Sequence, residues 1–180
     1  MAEKLIFSQT FEGLLRSLGG GKISPRLAAG LKERGVDPGK PLLPAYPKED
    51  FTAVITFLAR ELHPGLPVDA AITQIGRGFM DGYGETMVGR AMLAMIRLIG
   101  PRRTLERVTR QFRTGNNYSD TRLTERGPCE FDLWVNEVII PGWYVGIIGR
   151  GVELSGAKDV KVELVSQDAA GGTFRVRWSS

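Results

Sequence analysis

Within Arg113-Thr-Gly-Asn-Asn-Tyr-Ser-Asp-Thr-Arg122 stand two guanidinium groups, two carboxamides, a phenol and a carboxylate, polar chemistry that core packing does not require. Arginine offers paired donors that match a carboxylate or a phosphate. Arg110, Arg113 and Arg122 are therefore read as neutralising an anionic head group, with Asn116, Asn117 and Tyr118 orienting it. Met87, Met92 and Trp134 are expected to line the apolar remainder of such a ligand. The same Gly115-Asn-Asn also suits a left-handed turn joining a helix to a strand, and Arg102, Arg103 and Arg107 have the spacing of a solvated helix face.

No catalytic set accompanies this segment. One histidine, His63, and one cysteine, Cys129, are too few for a zinc site of the Cys/His kind or for an internal disulfide. His63 precedes Pro64-Gly65, the position of a helix-end residue, and Cys129 has no neighbour that would activate a thiolate. Gly84-Glu-Thr-Met-Val-Gly89 is followed by Arg90-Ala91, where a phosphate-binding loop requires Lys and then Ser or Thr. Glu130 and Asp132 share one strand face without a further acid or base to support glycosidase chemistry. The expectation is a non-enzymatic chain with no catalytic residue, no metal and no cofactor.

Charge and hydropathy narrow the partners. The net charge of +4 comes from 24 basic and 20 acidic residues interspersed along the chain, and the aromatic residues do not interleave with the basic ones. Specific nucleic-acid binding is not expected. No long apolar run follows the first charges, and later apolar stretches are broken by Arg90, Arg97 or glycine, so neither export nor membrane insertion is expected. The lone cysteine fits a reducing cytoplasm.

The elements that must position these residues follow from periodicity and breakers. The 180 residues, 42% hydrophobic, suit one domain over 1–180 with a sizeable core. Residues 5–18 fit a short strand or helix, interrupted by Gly19-Gly20-Gly21. Ser24-Pro25 starts a helix that Gly35 stops, and the proline-rich stretch Asp37 to Pro47 forms an extended strap. Asp50 caps a helix that ends at His63-Pro64-Gly65, and another begins near Val68, with a break near 81–84 or close helix contact implied by Gly76, Gly78, Gly82 and Gly84. Thr86 to Ile99, the most apolar run, is expected to be the central core helix, stopped by Gly100-Pro101. A further helix spans Arg102 to Phe112, with Leu105, Val108 and Phe112 inward. The period then falls to two over Tyr118 to Thr124 and Glu130 to Val138, returns to helical over Pro141 to Ser155, and falls again over Val160 to Val165 and Thr173 to Trp178.

Leu42-Leu-Pro-Ala-Tyr-Pro47, Gly76-Arg-Gly-Phe79, Gly89-Arg-Ala91, Gly100-Pro-Arg-Arg103, Phe112-Arg-Thr-Gly-Asn-Asn-Tyr118, Leu133-Trp-Val-Asn-Glu137 and Leu154-Ser-Gly-Ala-Lys158 together resemble a large paralogous family of uncharacterised proteins known chiefly from myxobacteria. That family offers no established catalytic residues to transfer. The closing strand, strand, helix, strand, strand order is similar to the superfamily of 4-vinyl-reductase-type effector domains, transport-protein-particle subunits and haem-nitric-oxide sensors. This resemblance implies an α+β fold with N-terminal helices packed on a twisted antiparallel four-stranded sheet of ββαββ order. It also implies a homodimer and a hydrophobic small molecule or acyl chain held between helices and sheet. Tyr118-Ser-Asp120-Thr-Arg122 resembles the Tyr-x-Ser-x-Arg haem-carboxylate clamp of those sensors, with Asp120 in place of the serine.

The reading reached from sequence is a sensory or regulatory domain for a small, partly apolar, acyl or lipid-like ligand. The alternatives are a protein-interaction module that docks an acidic regulator through its basic helix and, third, a haem-binding sensor.

Overall fold

Proline and glycine set most of the boundaries in the computed structural model, which describes residues 3–19 and 23–179. Gly20 and Gly21 of the expected interruption lie outside the described residues. Strand β1 (Leu5–Phe7) leads directly into helix α1 (Ser8–Ser17). Helix α2 (Pro25–Lys32) starts where Ser24 and Pro25 direct it, with the Leu27 amide donating to Ser24 Oγ at 3.3 Å. The strap ends in β2 (Ala45–Pro47), which pairs antiparallel with β1 and sets Tyr46 opposite Ile6.

Helix α3 (Lys48–Leu62) begins ahead of Asp50, because Pro47 holds extended backbone at the cap and Glu49 and Asp50 then occupy the first turn. Helix α4 (Val68–Tyr83) continues without a break through Gly76, Gly78 and Gly82. Close packing explains two of these glycines. A Cβ on Gly76 would stand 2.8 Å from the Trp143 carbonyl oxygen, and one on Gly82 would strike the Gly13 carbonyl oxygen in α1. Gly78 meets only Ser17 Cβ at 3.9 Å, an ordinary contact.

The apolar run becomes α5 (Met87–Glu106), kinked at Gly100, whose φ of 78° suits glycine, and followed by the short α6 (Val108–Phe112). It is not the central core helix expected from its composition. Met87 is 79% and Leu98 86% exposed, because the apolar residues surround α5 and, ahead of the Gly100 kink, only Met92, Leu93 and Ile96 among them meet the interior. The centre belongs to α4 and α7 (Pro141–Leu154), which touch backbone to backbone. A Cβ on Gly146 would lie 3.0 Å from Gly76 Cα. The sequence signal for this core is glycine spacing rather than hydropathy.

The sheet confirms the ββαββ order. Strands β3 (Thr121–Gly127), β4 (Glu130–Asn136), β5 (Lys158–Gln167) and β6 (Gly171–Ser179) form one antiparallel sheet in the spatial order β3-β4-β6-β5. Its inner face sets Phe131, Leu133, Val135, Phe174 and Val176 in the core with α7. On its outer face Asp132 receives Arg175 Nε at 2.8 Å and Arg126 Nε at 2.7 Å. The Arg175 hydrogen bond foremost holds that carboxyl below the ordinary range. Among the described residues, no helix is long and apolar enough to cross a membrane.

Candidate functional site

The segment from Arg113 to Arg122 is first of all a latch between the N-terminal hairpin and the sheet. Asn116 Oδ1 accepts from the amides of Tyr118 and Ser119 at 3.1 and 2.8 Å, while its Nδ2 donates to the Phe112 carbonyl at 3.2 Å. Asn117 reaches back to β1, accepting from the Leu5 amide and donating to the Glu3 carbonyl, both at 2.9 Å. Arg113 Nε donates to the Ser119 carbonyl at 2.9 Å. Asn136 on β4 completes the latch by donating to the Tyr118 carbonyl at 3.0 Å and accepting from the Asp120 amide at 2.7 Å. Strand β3 therefore starts only at Thr121, three residues later than periodicity suggests.

Beside this latch lies an apolar cavity of about 110 Å³. Phe79 and Met80 of α4 form one wall, Met92, Ile96 and Leu105 of α5 another, and Trp143, Ile147 and Ile148 of α7 a third. No residue of the four-stranded sheet lines it; the chamber lies among the helices and the latch rather than directly against the sheet, and Tyr144 of its wall meets Phe174 of the sheet with ring centres 5.7 Å apart. Met92, Asn116 and Tyr118 are the sequence-selected residues that line it. Arg110, Arg113, Asn117 and Met87 are exposed and do not, and Trp134 projects from the outer sheet face, where the Arg122 guanidinium lies 4.5 Å from its ring centre. Tyr118 and Arg122 thus stand on opposite sides of the sheet's inner layer, and the apparent clamp Tyr118-x-Asp120-x-Arg122 does not converge.

The cavity's own polar groups come from elsewhere. Three residues of its wall each carry a buried polar atom without a hydrogen-bond partner: Tyr83 (Oη) at the end of α4, Gln111 (Nε2) on α6 and Ser119 (Oγ) in the latch. Tyr83 is 5% exposed and Ser119 1%. Burial pushes the Tyr83 phenol above its ordinary range, opposed by the nearby Thr114 hydroxyl, which itself donates to the Gln111 carbonyl at 2.7 Å. Sequence reasoning did not select these three residues, since a helix-end tyrosine, a glutamine and a serine carry no signal until the fold strips them of water.

At the other end, Lys48, 6% exposed, donates from Nζ to both the Glu137 carbonyl and Oε2 at 3.1 Å. Lys4 reaches the same Oε2 at 2.7 Å. The Lys4 hydrogen bond and then the Lys48 one hold Glu137 below the ordinary carboxylate range. Lys48 also sits 4.8 Å from the centre of the Tyr118 ring. Burial first, then neighbouring groups including Glu137, pushes the Tyr118 and Tyr144 phenols upward, so both stay neutral at ordinary pH.

A family model described as protein of unknown function (DUF2378) matches residues 4–179. The chain belongs to the DUF2378 family. No curated protein matches this DUF2378 chain. Its fold is shared with solved H-NOX structures. An H-NOX protein from S. oneidensis in the Fe(II)NO ligation state has a TM-score of 0.71 and 9% identity, over 97% of this chain and 100% of that one. An Fe(II) unliganded H-NOX protein from K. algicida has a TM-score of 0.64 and 11% identity, over 96% of both chains. A third structure, from work on modulating haem redox potential through protein-induced porphyrin distortion, gives 0.60 and 14% over 96% and 93%. At such identities the likeness establishes the H-NOX-like architecture of this DUF2378 chain.

Proposed function

We propose that this chain is a non-enzymatic sensory or regulatory domain that receives a small, partly apolar ligand in the cavity between α4, α5 and α7. The observation that carries this reading is an apolar chamber whose wall includes three residues with an unpartnered buried polar atom. An orphaned buried donor costs about 1–3 kcal/mol, so three in one wall are a standing demand for a partner. The H-NOX-like architecture supports the sensory part of the reading. Native mass spectrometry of the purified protein, followed by organic extraction, tests it: a retained small molecule is expected, and a ligand-free protein that no small molecule stabilises would refute it.

Haem, which the third structural neighbour concerns, does not fit these residues. A cavity of about 110 Å³ is of the order of the roughly 150 Å³ that accommodates a single benzene ring in an engineered core, far short of a porphyrin. No histidine or cysteine lines it: His63 ends α3, and Cys129 lies in the turn between β3 and β4. Arg122, the expected propionate partner, is on the outer sheet face.

A cytoplasmic homodimer belongs to the same proposal. Exposed Met87, Met95 and Leu98 on α5 support the dimer, and sedimentation of the wild type against Leu98→Glu tests it. The docking of an acidic regulator is the second reading, favoured by exposed Arg103, Arg107 and Arg110, which form no ion pair among the described residues, whereas Arg102 binds Glu106 and Glu125. Charge reversal at Arg103 and Arg107 should then abolish partner capture.

A further inference from the structure

The geometry points to an uncharged ligand, about the size of one ring with a hydrogen-bonding substituent, as the occupant of the helical cavity. This rests on the proposal that the cavity is a ligand site, and it narrows what the site accepts.

Size comes first. The chamber of about 110 Å³ is partly open to solvent; it is of the order of the roughly 150 Å³ cavity that takes a benzene ring and far below the ~300–1,000 Å³ of ordinary drug-sized pockets. A long acyl chain would have to leave most of its length outside. A single ring or a branched chain of a few carbons makes full contact with Phe79, Ile96, Trp143 and Ile147.

Charge comes second. An anion entering this chamber needs a cation that is not already engaged, because burying an unpaired charge is prohibitive. No arginine lines the cavity. Its one lysine, Lys48, holds both a carboxylate and a carbonyl oxygen of Glu137. A cation fares no better, since Glu137 Oε2 already receives Lys4 and Lys48. Glu137 and the nearby Glu49 together balance Lys4 and Lys48 at this end, and the groups the wall leaves unpartnered are neutral: a phenol, a primary amide and an alcohol.

Those three groups also define the ligand's polarity. Gln111 Nε2 can only donate, so it needs an acceptor, whereas the Tyr83 and Ser119 hydroxyls both donate and accept. A ligand bearing a carbonyl, carboxamide or hydroxyl answers them. A pure hydrocarbon fills the space and leaves all three unpaired.

The test uses isosteric pairs on the full chain: benzamide against benzoate and benzyl alcohol against benzylammonium, with octanoate as an acyl anion, measured by ligand-observed NMR and thermal shift. Benzamide and benzyl alcohol should bind saturably and at least about tenfold more tightly than their charged counterparts, the direction that an unpaired buried charge imposes. Gln111→Leu and Ser119→Ala should weaken benzamide. Gly151→Leu, built from a Cβ whose nearest contact is Met80 Cε at 3.6 Å, should fill the chamber and abolish binding in a protein that still melts cooperatively. Benzoate or octanoate binding as tightly as benzamide would overturn the uncharged-ligand assignment while leaving the ligand site intact. Benzamide binding undiminished by Gly151→Leu would place the probe elsewhere and overturn the assignment too. Failure of every probe, with nothing extracted from the purified protein, would overturn the ligand site itself.

Discussion

Replacing Tyr83 by phenylalanine removes one oxygen and leaves the ring, which stacks on Phe79 with centres 5.5 Å apart, in place. In most buried settings that change costs stability; here the sign should reverse. The Tyr83 hydroxyl is buried without a partner, and relief of an orphaned polar group is worth about 1–3 kcal/mol. At the low end of that range, Tyr83→Phe should stabilise the empty protein by about 1 kcal/mol, or about 2–4 °C for a domain of this length. Tyr46→Phe is the internal control. Tyr46 is equally buried, but its hydroxyl accepts from the Leu43 amide at 3.0 Å, so the same deletion there should cost about 0.5–1.5 kcal/mol. Urea unfolding of ligand-free wild type and both variants, monitored by tryptophan fluorescence, measures the two changes. The reasoning is refuted if Tyr83→Phe loses stability to the same degree as Tyr46→Phe, since the Tyr83 hydroxyl would then have a partner in the folded state.

The helix contacts, the ion pair and the outer sheet face yield further expectations. Gly146→Ala drives a methyl to within 3.0 Å of Gly76 Cα and should cost about 2–3 kcal/mol by chemical denaturation, whereas Gly78→Ala, with only an ordinary contact to Ser17 and better helix propensity, should be neutral or gain up to about 1 kcal/mol. Glu137→Gln deprives buried Lys48 of its carboxylate and should cost about 1–3 kcal/mol at neutral pH, less than a fully buried pair because Glu137 is partly exposed. The folded-state value of Glu137 is depressed, so the stability it contributes is present above the ordinary glutamate value and lost as pH falls through the folded one. The gap between wild type and Glu137→Gln should accordingly close below about pH 4, and unfolding curves collected across pH that showed it widening in acid would contradict the assignment. Arg122→Ala removes only an exposed stacking contact with Trp134, so probe affinity should stay within experimental error and stability within about 1 kcal/mol.

The sequence made the element order readable because punctuation and periodicity are local. Ser24-Pro25, His63-Pro64-Gly65 and Gly100-Pro101 mark helix ends by backbone restriction alone, and alternation in Glu130 to Asn136 reports one buried sheet face without reference to anything distant. What failed was the inference from hydropathy to centrality. Met87 to Leu98 is rich in apolar residues, yet helix packing is decided by how closely axes approach, and Gly76, Gly142 and Gly146 give that approach to α4 and α7. The polar cluster in Arg113 to Arg122 was visible as chemistry, but its asparagines serve backbone groups of β1 and its own turn. The chamber's unpartnered atoms come from residues 83, 111 and 119, each unremarkable locally; only the tertiary fold deprives them of water together.

The backbone contact of α4 with α7 also sets the mechanics of the chamber. Two helices that touch through glycine have no side-chain layer left to compress, so their shared wall is stiff. The facing wall, made by α5 and α6, has solvent behind Met87 and Leu98 and a glycine joint at Gly100, where an added Cβ would meet nothing within 4 Å. The compliance of the chamber is therefore expected on the α5 side, where solvent rather than a further helix stands behind the wall.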